Sequence, residues 1–342
     1  MASQYFRFSA RAVAEPRRAP LMEQLLARAD DFRQVGDWRA DAYRVIAPQA
    51  AKIPAVAAAA LFADCGTADI SAGATDDISA RATVGASWAC LATPVHYAAE
   101  MANVRMARDG ILSVTCAHAQ LLAQDFNRVW KDSGIRLMAG GSARLYCIFD
   151  RALEVATRDP EDVLERHIEE YLPTGADAAP LRLLMSEIEM WLFDHPVNVS
   201  RESSGPPRIN GLWIWGGGAP LASPPRVEGF FAGDDVFFGA LGAPTAPGAP
   251  NAPNAPNALS APPNALSAAE SSFSGVIVTP HSPGDDAWSG VEDSWLAPAA
   301  ARLRSGRLSR LDISAGNRCF TLTARAMRRF WRRRKPWWES FA

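Results

Sequence analysis

Residues 194–218 read DHPVNVSRESSGPPRINGLWIWGGG, and this stretch holds the densest group of unusual residues in the chain. Pro196 follows His195, a polar run then carries Asn198 and Arg201, and an apolar run leads into three glycines. We predict a loop over the first part, followed by a short strand, 212–215, which the glycines terminate. Because loops carry much of the binding chemistry of proteins, this segment is the candidate functional site.

The residue types in this segment indicate recognition of an anion. Arginine donates paired hydrogen bonds to a phosphate or carboxylate, and glycine backbone can approach an anion closely. The candidate anion-binding residues are His195, Asn198, Arg201, Asn210, Gly216, Gly217 and Gly218. In a structural alternative that stays open, Asn198 and Arg201 cap turns and Arg201 pairs with an acidic neighbour, while the two tryptophans belong to the core.

The segments on either side alternate between helical and strand patterns. Amphipathic periodicity predicts helices at 20–33, 53–63, 113–133, 161–171, 181–193 and 288–304, and an Arg-rich helical tail. Apolar runs predict a strand at 276–279 and hairpins at 135–149 and 307–323. Together they predict an α/β fold with a mixed sheet flanked by helices.

Residues 243–274 separate two parts of the chain that have ordinary globular composition. They consist of NAP-type repeats with one charged residue, Glu270. Such a segment has too little apolar surface to build a core, so we predict a disordered, Pro-rich insert. The predicted divisions are an Ala-rich α/β part (1–92), an α/β region with the motif (93–242), the insert (243–274) and a C-terminal α/β part (275–342).

The overall composition is that of a globular protein. Of the 342 residues, 48% are hydrophobic and 21% are charged, and the net charge is -2. No apolar run approaches the ~20 residues of a membrane span, and the N-terminus lacks the apolar core of a secretory signal. We therefore expect a cytoplasmic protein with no membrane partner. The five cysteines form no CxxC or Cys/His cluster and are expected to be free thiols.

The motif resembles one found in archaeal-type, cofactor-independent phosphoglycerate mutases, HPVN-x-x-R-x-x-x-G-x-x-x-x-N-x-x-W-x-W-G. This chain matches it at His195, Pro196, Val197, Asn198, Arg201, Gly205, Asn210, Trp213, Trp215 and Gly216. Similar stretches at 159–175 and 233–242 extend the resemblance over about residues 93–242. The resemblance implies the mixed α/β sheet of the alkaline phosphatase superfamily, whose mutases hold two metal ions.

Two departures from that family argue against catalysis. The family opens with a strand and an Asp-Gly turn that supplies a metal ligand, followed later by a phosphorylatable serine, whereas residues 1–20 contain no aspartate. Its C-terminal half supplies Asp and His ligands, whereas this chain has one histidine after residue 242, His281. We interpret Asp285 and Asp286, near His281, as a solvated turn. We therefore expect no catalytic residue, no metal site and no cofactor.

Over most of its length the chain also resembles bacterial RpfE-type regulatory proteins, which share the HPVN and WxWGGG segments and an Arg/Trp tail. The tail here is RFWRRRKPWW, residues 329–338. This resemblance implies a regulatory role. With the two departures from the mutases, we expect a non-catalytic protein whose anion-binding loop takes a phosphorylated or carboxylated metabolite. The alternatives are a mutase-like phosphotransferase and a regulator that binds nucleic acid through the tail, with arginine on phosphates and tryptophan on bases.

Overall fold

The computed structural model describes residues 2–8, 18–65, 87–101, 103–223, 225–233, 235–241, 274–279 and 292–341. Packing divides the chain into two units. The discontinuous unit comprises Met1–Ile53 and Arg226–Ala342, and the continuous unit comprises Pro54–Pro225. None of the helices in the described ranges has the length and apolar character needed to cross a membrane.

The strands and helices alternate along both units. The strands are β1 (Ala2–Phe8), β2 (Asp31–Gln34), β3 (Trp88–Ala99), β4 (Val104–Ile111), β5 (Ile135–Ala139), β6 (Leu145–Phe149), β7 (Gly211–Gly218), β8 (Phe230–Ala232), β9 (Gly275–Val278), β10 (Leu308–Ala315) and β11 (Arg318–Leu322). The α-helices are α1 (Pro20–Arg28), α2 (Trp38–Ile46), α3 (Val56–Cys65), α4 (Cys116–Val129), α5 (Ala178–Phe193), α6 (Pro196–Ser204), α7 (Val236–Ala240) and α8 (Ala297–Arg304).

The discontinuous unit contains a six-stranded mixed sheet in the order β2-β11-β10-β1-β9-β8. The four strands β10, β1, β9 and β8 are parallel, whereas β11 pairs antiparallel with both β10 and β2. Helices α1 and α8 share one core with the sheet, in which Phe6, Leu25 and Leu303 are completely buried. Helix α2 contacts β1 and β9. The central strand, β1, therefore depends on partners from the far end of the sequence.

The continuous unit is built around β3, whose twelve residues pair on both sides. Strands β4 and β6 pair with its two halves, β7 pairs with its other edge, and β5 extends the sheet beyond β6. All of these pairings are antiparallel. Helix α4 packs on β5, α5 packs on β7, and α3 packs on β3 and β7. Cys90 of β3 lies opposite Cys147 of β6 in the strand register. Both cysteines are free thiols, and both are buried.

The predicted fold class, a mixed α/β fold with sheets flanked by helices, is confirmed. Both predicted hairpins are present, β5–β6 and β10–β11. The helix predicted at 20–33 ends at Arg28, and β2 follows it. The helix predicted at 161–171 is absent, because the segment forms two 3₁₀ turns, Pro160–Val163 and Ile168–Tyr171, separated by Glu165 at a φ of 59°.

The two units divide the chain at other positions than the predicted segments, whose boundaries at 92/93, 242/243 and 274/275 stay predictions. The reason is strand pairing, because β1 lies between β9 and β10 and so joins the start of the chain to its end. The predicted disordered insert falls on residues 243–274, of which 243–273 lie outside the described part of the chain. Ser274 is described, and its hydroxyl accepts a hydrogen bond from the Ser3 amide at 3.1 Å.

Candidate functional site

The segment predicted as a loop after His195 is helix α6. His195 is its N-cap residue, and its Nδ1 accepts a hydrogen bond from the Val197 amide at 3.2 Å. Pro196 occupies the first turn, where its fixed φ suits a helix and its missing N–H is not needed. Gly205 ends the helix at a φ of 97°. His-Pro in this motif is therefore a helix start.

Asn198 uses its side chain to join three backbone groups. Its Nδ2 donates to the carbonyl oxygens of Leu192 and Ile209, both at 2.8 Å. Its Oδ1 accepts from the Ile209 amide, also at 2.8 Å. Asn198 is buried, so these bonds satisfy backbone groups that water cannot reach. The residue fixes the end of α5 to the start of β7.

Arg201 is 5% exposed and donates to two carbonyl oxygens. Its Nε bonds to Pro207 O at 2.8 Å and its Nη1 to Ser113 O at 3.0 Å. Burial lowers the pKa of Arg201 below its ordinary value, but arginine stays charged at neutral pH. The nearby acid Glu202 pairs with Arg208 at 2.7 Å. Carbonyl oxygens thus take the place of the acidic partner that the structural alternative predicted for Arg201.

The imidazole of His195 is buried between a carboxylate and an indole. Its Nε2 lies 3.3 Å from Asp125 Oδ2, outside the alignment of a good hydrogen bond, and its ring meets the Trp191 ring edge-on at 4.7 Å. Burial lowers the pKa of His195 below 6.5, and Asp125 opposes this shift to a lesser extent. The neutral imidazole is therefore favoured in the folded protein.

Asn210, at the start of β7, also uses its side chain to bind backbone groups. Its Oδ1 accepts from the Tyr97 amide at 2.7 Å and its Nδ2 donates to the Tyr97 carbonyl at 2.8 Å, so the side chain pairs with β3 as backbone would. The two tryptophans are buried, and their indole nitrogens donate to Arg158 O and Thr93 Oγ1, each at 2.8 Å. The core role that the alternative gave to Trp213 and Trp215 agrees with this geometry.

The three glycines lie inside β7 and do not form a turn. A Cβ at Gly218 would overlap Ala55, and one at Gly217 would lie 2.5 Å from Trp88 Nε1. Gly216 has a φ of 67°, and its amide donates to Thr157 Oγ1 at 3.2 Å. Asn210 and Gly216 are six residues apart along an extended chain, or about 20 Å. The structure therefore brings His195, Asn198 and Arg201 together on α6 but leaves the glycines at the opposite end of β7.

A second cluster of buried charge lies at the carboxyl edge of the parallel strands in the discontinuous unit. Arg39 donates from Nε and Nη2 to one oxygen of Asp235, at 2.9 and 2.7 Å. The other oxygen of Asp235 caps α7 by accepting from the Phe237 and Phe238 amides. Arg39, Asp235 and Arg7 are all buried.

Arg7 approaches the same cluster from the end of β1. Its Nη1 donates to Ser314 Oγ at 3.1 Å and to Gly316 O at 2.7 Å. The guanidinium carbons of Arg7 and Arg39 lie 5.0 and 4.6 Å from the ring centroid of Trp38. We name Arg7, Trp38, Arg39 and Asp235 the carboxyl-edge cluster. Open α/β sheets bind ligands at this edge, and guanidinium groups are hydrogen-bond donors suited to anionic ligands.

Sequence reasoning missed the carboxyl-edge cluster. One signal was available, because Arg7 interrupts the apolar run Tyr5-Phe6-Arg7-Phe8 in the first strand. A charged residue inside a buried strand needs a specific set of partners. The positions of Trp38 and Asp235 beside it depend on the strand order of the sheet, which the sequence pattern did not reveal.

The two metal ions implied by the mutase resemblance need several carboxylates and imidazoles in one place. Within the described ranges, no three His, Cys, Asp or Glu side chains converge in a way that could hold a metal ion. At the carboxyl-edge cluster, the end of the first strand carries a cationic group, Arg7. The donor set of the described residues does not fit such a centre.

Over part of its length the chain is similar to three curated phosphoglycerate mutases. The chain matches no protein-family model. It is 34% identical over 95 residues to a 2,3-bisphosphoglycerate-independent phosphoglycerate mutase of Methanothrix thermoacetophila. The aligned stretch covers 28% of this chain and 24% of that mutase. The corresponding enzyme of Methanosarcina barkeri is 36% identical over 74 residues, or 21% of this chain and 19% of the enzyme. A mutase of Methanothermobacter thermautotrophicus is 32% identical over 118 residues, or 34% and 29%.

Two solved structures align over more of the chain at lower identity. The cofactor-independent phosphoglycerate mutase of Thermoplasma acidophilum has a TM-score of 0.35 and 13% identity, over 94% of this chain and 90% of the enzyme. A protein of Pyrococcus horikoshii also has a TM-score of 0.35, with 12% identity over 94% and 87% of the two chains. The chain spans 19–29% of the length of the curated mutases. Over the matched stretch, it is a distant homologue of archaeal cofactor-independent phosphoglycerate mutases.

Proposed function

We propose that this protein is a non-catalytic, regulatory relative of the phosphoglycerate mutases that binds a small phosphorylated or carboxylated metabolite. The observation that carries the proposal is the carboxyl-edge cluster, in which Arg7 and Arg39 are buried around Trp38 and Asp235 pairs with Arg39. Arginine side chains grouped at the carboxyl edge of parallel strands are suited to hold a bound oxyanion, because guanidinium groups donate paired hydrogen bonds to its oxygens.

The residues of this cluster have complementary roles in the proposal. Arg7 and Arg39 would donate to the anion, because guanidinium groups match the geometry of phosphate and carboxylate oxygens. Trp38 would hold both guanidinium planes through cation–π contact. Asp235 orients Arg39 through its two hydrogen bonds to one oxygen.

The order of HPVN, Arg and WxWGG in residues 195–217 then has a structural explanation. Its polar side chains satisfy buried backbone groups, and its glycines let neighbouring residues approach β7. Arg201 is nevertheless a competing anion site, because its Nη2 has no hydrogen-bond partner among the described residues. Mutase-like phosphoryl transfer is the competing function, and the similarity over part of the chain supports it.

Ligand-induced thermal shift separates these proposals. We expect 2- or 3-phosphoglycerate to raise the melting temperature of the full chain, with about 2.7 kcal/mol of stabilisation at a hundred times Kd. Arg7→Lys keeps the charge but loses the planar fork, and should greatly reduce the shift relative to its own ligand-free baseline. Arg201→Lys is the matched control and should keep it.

Each contrary result has a specific meaning. A shift that survives in Arg7→Lys and disappears in Arg201→Lys would move the anion site to α6. Interconversion of 2- and 3-phosphoglycerate, assayed with and without added Mn²⁺, would replace the regulatory proposal with the enzymatic one. If neither anion shifts the wild-type protein, binding of these metabolites is excluded.

A further inference from the structure

The segment Arg328–Lys335, read RRFWRRRK, forms a surface loop that is fixed at both ends. We name it the basic-aromatic loop. On its N-terminal side Ala326 and Met327 are buried in the core of the discontinuous unit. On its C-terminal side Trp337 is completely buried and Phe341 is nearly so. The sequence predicted a helical tail, but this segment has only short 3₁₀ turns, at 326–328 and 337–340.

Two of its arginines attach the loop to the end of α1. Arg329 pairs with Asp30 at 2.9 Å and donates to Ala29 O, also at 2.9 Å. Arg332 donates to the same carbonyl at 3.1 Å. These contacts limit the conformations of the loop, so a partner that binds it pays little ordering entropy.

The other basic side chains of the loop face solvent. Arg328, Arg333 and Lys335 are exposed and have no ion-pair or hydrogen-bond partner among the described residues. Positive charge also lies beside the loop, at Arg28 and Arg304. Burial lowers the pKa of Arg28, and the nearby charges of Arg304 and Arg334 lower it further. Basic groups concentrated in this way attract a polyanion.

Two large aromatic side chains stand between these charges. Phe330 is 78% exposed and Trp331 is 68% exposed. Their rings meet edge-on with centroids 5.4 Å apart, which leaves ring faces open to solvent. Exposed rings among arginines match what single-stranded nucleic acids require, since bases stack on the rings while the arginines pair with phosphates.

From this arrangement we propose that the basic-aromatic loop is a binding surface for single-stranded nucleic acid. The proposal is independent of the proposed function, because it uses no residue of the carboxyl-edge cluster. An anionic membrane surface is the competing partner. Membrane-surface segments are typically amphipathic helices with a broad apolar face, whereas this loop offers two apolar side chains and no α-helix.

Fluorescence anisotropy with a labelled oligo(dT) or oligo(U) tests the proposal on the full chain. We expect binding at low salt, and weaker binding to the corresponding duplex. Phe330→Ala with Trp331→Ala should weaken binding by roughly fivefold to a hundredfold for each stacked base. Phe193→Ala changes an aromatic residue of similar exposure outside the loop, 69% exposed, and should have no effect.

Salt dependence provides the second arm. Arg333→Gln with Lys335→Gln removes two charges and should lower the slope of log K against log salt by about 1.4, at ~0.7 per phosphate contact. Arg182→Gln, another exposed arginine, should leave the slope unchanged. Absence of binding at low salt, or equal binding by the Phe330/Trp331 variant, would overturn the proposal. So would binding to phosphatidylserine vesicles that depends on both rings while the oligonucleotide stays unbound.

Discussion

Asn198 shows how much structure one side chain of the mutase-like segment can hold. Its three hydrogen bonds end on backbone atoms of Leu192 and Ile209. Asn198→Ala leaves the buried Ile209 amide and carbonyl without this partner, while Leu192 O keeps its bond from the His195 amide, so we expect a loss of about 3 kcal/mol in the free energy of unfolding. Urea denaturation measures this value. Asn103→Ala, at an exposed position, is the control and should change stability by less than about 0.5 kcal/mol.

His195 makes stability depend on pH. Burial lowers its pKa in the folded state below 6.5, so the unfolded chain takes up a proton more readily as the pH falls. Stability is therefore greatest above about pH 6.5 and decreases as the pH falls toward the folded-state pKa. His195→Asn keeps a capping acceptor and should flatten this dependence in urea titrations. A pH dependence in the His195→Asn variant as steep as that of the wild type would contradict the assignment.

At the level of single residues, sequence reasoning recognised the unusual residues but not their targets. It identified Asn198 and Arg201 as polar groups with a specific task. Whether an arginine donates to a ligand or to Pro207 O and Ser113 O depends on which backbone carbonyls the fold leaves nearby. The second acceptor, Ser113 O, lies in a segment 88 residues away, so local pattern could not reveal it.

Among the elements, β7 depends on glycine because α3 approaches it closely. A methyl group at Gly218 would meet Ala55 Cβ, so Gly218→Ala should destabilise the protein by about 1–3 kcal/mol. The second change Ala55→Gly removes the opposing methyl and should restore part of the loss. A double-mutant cycle by urea denaturation measures this coupling.

The matched control for this cycle is Gly36→Ala, since nothing lies within 4 Å of a Cβ at that position. It should not respond to Ala55→Gly. Strict additivity between Gly218→Ala and Ala55→Gly would show that the close approach is not what restricts position 218.

Element prediction succeeded where turn chemistry was explicit. Gly140-Gly141-Ser142 and the turn at Gly316 each joined two β-rich runs, and both hairpins formed. It was wrong for the loop after His195, because proline was interpreted as an exit from one helix when it begins the next. It was also wrong for the glycine triplet, which was predicted to end the strand. The three glycines lie inside β7, where they leave space for side chains of neighbouring elements.

For the whole molecule, the continuous unit should be separable. Its strands β3 to β7 pair only with one another in the described chain, and its segment runs without interruption from Pro54 to Pro225. We expect a 54–225 fragment to unfold cooperatively in urea, followed by circular dichroism. The fragment 1–53 should show no such transition, because β1 lacks β9 and β10. A non-cooperative 54–225 fragment would contradict this division.

The position of β1 between β9 and β10 also sets an order of events during synthesis. The Ser3 amide meets Ser274 Oγ across 271 residues, and a ribosome adding about 5–20 residues per second needs roughly 15–55 s to cover that distance. During this interval the ribosome synthesises the whole continuous unit, while Phe6 and Phe8 of β1 have no neighbouring strand to pack beside. Strand β1 is thus made long before the strands it pairs with, and its apolar side chains must be kept from aggregating until β9 and β10 have been synthesised.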